Sequence, residues 1–155
     1  MIEALLQYKH VMQLLALLLV VFAAFRWGAA PEKVCAAALA FMEIVDWPYH
    51  LIFDRFAIRD SIDPGHLLID LAAGVALIFI GLRANRIFPI VMAGTQIVSF
   101  LSHFARALSP SSTGAAYGMM AAMPSYLLIA TLAVGIYLHR KRAVHYGPYR
   151  SWNLG

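Results

Sequence analysis

Apolar residues fall into five long runs, separated by short clusters of Arg, Pro, Gly, Ser and Asp. The runs cover residues 8–27, 34–55, 64–83, 86–106 and 116–139, each close to the ~20 residues an α-helix needs to cross roughly 30 Å of hydrocarbon. They predict an all-α, polytopic membrane bundle of about five transmembrane helices. The fourth run is diluted by Gln96, Ser99, Ser102 and His103, so four spans plus a re-entrant or amphipathic segment is the alternative. In the first run, Val11 to Phe25 followed by Gly28, Ala29 and Ala30 is similar to a secretory signal. Pro31 at the would-be cleavage point, with Arg26 and Trp27 before it, argues for a retained span.

The breaks carry their own signals. Asp63-Pro64-Gly65 reads as a helix start, with Asp63 as N-cap and Pro64 at the first helical position, where its missing N–H costs nothing. Ser109 to Gly114 reads as a flexible linker and residues 56–62 as a short surface helix or turn. Pro48 is expected to kink the second helix near Ile44, while Pro89 and Pro124 fall near the starts of the fourth and fifth. Ala36, Ala37, Ala38 and Ala40 in the second run, with Ala72, Ala73, Gly74 and Ala76 in the third, predict close backbone packing. Met119, Met120 and Met123 give the fifth run a flexible apolar surface for another chain or for lipid.

Composition strengthens the membrane expectation. Hydrophobic residues make up 62%, charged residues 13%, and the mean hydropathy is +0.73; soluble domains carry nearly twice that share of charge, about 25%. Residues 1–139 are expected to form the bundle and 140–155 a basic, aromatic tail, which leaves no room for a soluble catalytic domain. The lone Cys35 excludes an internal disulfide and a cysteine-based metal site. Neither G-x-S-x-G, H-E-x-x-H nor a P-loop occurs, so no catalytic residue is assigned. Arg26, Lys33, Arg83, Arg86, Arg140, Lys141, Arg142 and Arg150 fall on one side of a five-span topology, and Lys9, Arg55, Arg59 and Arg106 on the other. The positive-inside bias then places the N-terminus outside and the C-terminus in the cytoplasm, in a bacterial-type inner membrane.

Candidate chemistry lies in helical stripes. Glu43, Asp46, His50 and Asp54 share one face of the second span, His66, Asp70 and Gly74 one face of the third, and Gln96, Ser99, His103 and Arg106 one face of the fourth. Lipid solvates none of these, so each stripe is expected to face the bundle interior or a wet cavity. A hairpin centred near Ile58 would set His50 opposite His66 and Asp46 opposite Asp70, with Glu43 deeper. Such a cluster fits interhelical hydrogen bonding, a divalent metal site for Zn, Fe or Mn, or a proton or ion path loaded at Glu43. The pair His50 and His66 also suits a haem or chlorophyll macrocycle.

In the tail, Arg140, Lys141, Arg142 and Arg150 alternate with Tyr146, Tyr149 and Trp152. That pattern suits an anionic membrane surface or a protein partner docking across the Gly147-Pro148 turn, and not nucleic acid. These features together lead us to expect a non-catalytic accessory or assembly subunit, in contact with lipid and with other membrane subunits or itself. A metal- or proton-coupled transporter is the first alternative and a haem- or pigment-binding subunit the second.

Overall fold

Every apolar run folds as one helix. The structure, a computed structural model, describes residues 2–53, 64–108 and 114–153. Its five helices are α1 (Ile2–Trp27), α2 (Ala30–Phe53), α3 (Pro64–Arg83), α4 (Phe88–Leu108) and α5 (Gly114–Tyr146). Among the described residues there is no strand, only an isolated antiparallel bridge between Ala84 and Trp152.

Local chemistry explains the ends. The Gly28 N–H closes α1 on the Ala24 carbonyl at 2.9 Å. A Cβ at Gly28 would sit 2.5 Å from that oxygen and 2.7 Å from Glu32 Cβ, so the corner into α2 needs glycine. Glu32, in the first turn of α2, reaches back to accept the Ala29 N–H at 3.0 Å, which is one half of a capping box. At the far end of α5, Gly147 takes the left-handed conformation (φ 73°) and donates its N–H to the Ala143 carbonyl, the usual glycine stop. Helix α3 opens at Pro64 as expected. Pro48 and Pro124 do not end their helices, and α4 runs as a single helix to Leu108. Residues 56–62 and the linker 109–113 lie outside the described residues.

The helices close into a ring. In it α1 packs on α2, α2 on α3, α3 on α4, α4 on α5, and α5 back on α1, with α2 also touching α5. Inside, Leu39, Leu77, Met92, Leu128 and Leu132 form an apolar waist. At Gly135 α5 passes so close to α4 that a Cβ would meet the Phe88 ring at 2.6 Å. Of the small residues of α2 and α3, Ala36, Ala73 and Gly74 are buried, while Ala37, Ala38, Ala72 and Ala76 line an open apolar groove with Phe41 and Ile80.

The outside of the ring is apolar as well. Exposed Leu, Ile, Val, Phe, Trp or Tyr side chains occur on all five helices, from Leu19 on α1 to Tyr137 on α5. Among the described residues, two helices are by length and composition able to cross a membrane, over His10–Trp27 and Pro64–Arg83. Helix α2 interrupts its apolar run with Glu43 and Asp46, and the apolar part of α4, Phe88–Phe104, is shorter.

Candidate functional site

Two polar layers sit at opposite ends of the ring with the apolar waist between them. At a rise of 1.5 Å per residue, Asp70 and Arg83 on α3 are roughly 20 Å apart along the axis. Asp70 belongs to the Asp/His layer and Arg83 to the basic layer.

The Asp/His layer is built on α3. His66 and Asp70 lie one turn apart but turn to different neighbours. His66 Nε2 is 2.9 Å from Asp46 Oδ1 on α2, both side chains about one third exposed. The Tyr49 ring stands edge-on to the His66 ring at 5.1 Å, and a Cβ at Gly65 would overlap it, so glycine lets α2 and α3 approach here. Asp70 faces α4 instead. Gln96 Nε2 donates to its Oδ1 at 2.9 Å, Ser99 Oγ donates to its Oδ2 at 2.9 Å, and His103 Nε2 lies 3.0 Å from Oδ2. Three groups at helical spacing on α4 thus converge on one carboxylate.

This differs from the hairpin expectation by one helical turn. Asp46 meets His66 rather than Asp70, and Asp70 finds the α4 stripe, because three α4 partners satisfy a carboxylate better than a second carboxylate does. The side chain of His50 lies outside the described residues, as does that of Arg106. Glu43 is not in the interior: its side chain is exposed on α2 and has no partner among the described residues. No three His, Cys, Asp or Glu side chains come together among the described residues in a way that would hold a metal ion. His66, expected also as a macrocycle ligand, is turned to Asp46.

The basic layer centres on a pair that the stripes did not reveal. Arg86 Nε lies 3.0 Å from Glu32 Oε1, with the two side chains 5% and 0% exposed. The N–H is not aimed along that line, so charge rather than an aligned hydrogen bond joins them. Arg86 Nη1 donates to Tyr149 Oη, and its guanidinium also stacks on the Tyr149 ring, 4.7 Å from the centroid. His139 Nδ1 approaches the same hydroxyl at 2.8 Å, and Arg142 covers the ring at 5.3 Å.

The tail is held there by its backbone. Asn85 N–H donates to the Ser151 carbonyl at 3.1 Å, and Asn153 N–H to the Arg83 carbonyl at 2.7 Å. Residues 140–146 continue α5, and 147–153 fold back as a strap across the α3–α4 corner. Tyr149 and Trp152, expected at a membrane surface or on a partner, are half-buried against their own bundle. Arg140, Lys141, Arg142, Tyr146 and Arg150 remain exposed.

Sequence reasoning passed over Glu32 and Arg86. The available signal was charge: Glu32 is the one acid at the end of the molecule that carries Arg26, Lys33, Arg83, Arg86 and Arg140. Compared with known proteins, the chain matches no family model, no curated protein and no solved structure. Function is therefore argued from the side chains.

Proposed function

We propose that this chain is a small integral membrane protein, a five-helix bundle of the inner membrane with its C-terminus in the cytoplasm, acting as a non-catalytic accessory or assembly subunit of a larger membrane complex. The observation that carries the proposal is how the side chains divide. Large apolar groups are exposed around all five helices, a surface far beyond what a soluble monomer leaves uncovered. Most polar groups with chemical potential are spent on helix-to-helix contacts: Asp46 with His66, Asp70 with the α4 trio, Glu32 with Arg86. Interhelical polar contacts of this kind specify which helices adjoin. The exposed Arg140, Lys141, Arg142 and Arg150 suit anionic headgroups of the cytoplasmic leaflet.

The test has two stages. Alkaline extraction of native membranes should leave the chain in the pellet; release into the supernatant would end the membrane reading. Gentle detergent release followed by native mass spectrometry should then find it bound to other subunits, and a bare chain throughout would end the accessory reading.

A second reading is favoured by one observation, the Asp46–His66 pair, about one third exposed, lying next to the Asp70–His103 pair on α3. That reading is a proton- or metal-coupled transporter loading at the Asp/His layer. Replacing Asp46 and Asp70 together by Asn should abolish ion or proton uptake by reconstituted vesicles if it holds. Unchanged uptake, or none in the wild type, would leave the subunit reading.

A further inference from the structure

Among the described residues, one acid that the bundle leaves unused is Glu43. It lies past the middle of α2, 13 residues from Ala30 and 10 from Phe53, or roughly 20 Å and 15 Å along the axis. It is exposed and without a partner among the described residues. The side chains beside it at helical spacing, Ile44, Trp47 and Leu51, are 69%, 73% and 66% exposed. This is one uncovered helix face with a carboxylate set into it.

In a bilayer that arrangement is costly. An acid at mid-depth costs about 2.5–3.5 kcal/mol even on the lenient insertion scale, and such residues are almost always covered or paired. The Asp/His layer does not relieve it, because His66 is engaged by Asp46 and His103 by Asp70.

We infer that the Glu43–Ile44–Trp47–Leu51 face of α2 is the docking surface for a transmembrane helix of a different protein, one that brings a Lys or Arg to the depth of Glu43. Charge decides against a second copy of this chain. Among the described residues its Lys and Arg are at positions 9, 26, 33, 83, 86, 106, 140, 141, 142 and 150, the deepest being Lys9, seven residues from Ile2 or roughly 10 Å along the axis, so a copy offers no cation at the depth of Glu43. A symmetric pairing through this face would also oppose carboxylate to carboxylate. Trp47, the largest exposed side chain of the face, supplies the aromatic anchor expected at the centre of an interface. The inference rests on the subunit reading above and deepens it by naming the face and the chemistry of the partner.

The test uses the whole chain in its own membranes. A photo-crosslinking residue replaces Ile44 or Leu51, and adducts are identified by mass. The expected adduct is a second, different membrane protein whose matched span carries Lys or Arg. Glu43→Gln should lower its yield at least tenfold without changing the melting temperature of the purified bundle, since Glu43 has no polar partner among the described residues. Glu43→Lys should abolish the adduct, and exchanging the partner's cation for Glu should restore it. An adduct of two identical chains, lipid adducts alone, or a partner adduct indifferent to Glu43→Gln would each overturn the proposal. A multisubunit complex that survives Glu43→Gln would keep the subunit reading while removing this face from it.

Discussion

Glu32 and Arg86 meet 3.0 Å apart with almost no access to solvent, one in the first turn of α2 and the other in the corner between α3 and α4. Each has an additional anchor: the Ala29 N–H for Glu32, Tyr149 and Ser151 for Arg86. Such a pair fixes geometry more than it adds stability, because two charges have been taken out of water.

Removing one partner should therefore be far worse than removing both. Glu32→Gln and Arg86→Gln should each destabilise the bundle by about 3–5 kcal/mol, the usual cost of leaving a buried charge alone. The double variant should lose much less than the sum. Thermal unfolding in detergent, followed by tryptophan fluorescence, measures the cycle; additive losses would show that the two side chains act independently.

The two Asp/His pairs should differ in the same experiment. Asp70 is 13% exposed and receives three α4 side chains, whereas Asp46, beside the His66 imidazole, is 37% exposed. Asp70→Asn sets an amide N–H₂ against at least one donor and should cost roughly 1–3 kcal/mol. Asp46→Asn should stay within about 1 kcal/mol, the range of exposed pairs. A larger loss at Asp46 would mean that its pairing with His66, and not the α4 network, holds α3 in place.

Much of this was legible in the chain itself. Hydropathy located the helices, and Pro64 falls at the first described residue of α3, Asp63 lying outside the described residues, because apolar run length and proline geometry are local properties. The stripe of Gln96, Ser99 and His103 was visible for the same reason. Its target was not, since which carboxylate it faces depends on how α3 is rotated between α2 and α4. Glu32 stayed hidden because an acid in a first turn already has a local explanation in capping, while its partner Arg86 lies two helices further on. That residues 147–153 fold back as a strap was not legible, since Arg and aromatic residues suit headgroups and guanidinium stacking equally well.

Glycine positions give a cleaner test of helix packing. A Cβ at Gly135 would meet the Phe88 ring at 2.6–2.8 Å, whereas one at Gly94 meets nothing within 4 Å. Gly135→Ala should destabilise by about 1–3 kcal/mol through overpacking. Gly94→Ala should be neutral or gain up to about 1 kcal/mol of helix propensity. Combining Gly135→Ala with Phe88→Leu should recover most of the loss. Equal behaviour of the two glycine variants would place α4 and α5 further apart than described.

The strap can be followed through the lone cysteine. Cys35 is fully buried in α2, one turn beyond Glu32, and thus behind the polar layer that Tyr149 covers. Tyr149 is held by Arg86, His139 and Arg142 together, so Tyr149→Ala removes two hydroxyl contacts and two cation–π contacts at once. With each contact contributing about 0.5–1.5 kcal/mol, the strap should open at least tenfold more often, since 1.4 kcal/mol is tenfold in an equilibrium. A membrane-impermeant maleimide added to inverted vesicles should then label Cys35 at least ten times faster than in the wild type. Tyr149→Phe keeps the ring faces for Arg86 and Arg142 and should fall between the two. If truncation after Tyr146 left the labelling rate unchanged, residues 147–153 would lie on the bundle without closing it, and protection of Cys35 would come from the helix packing alone.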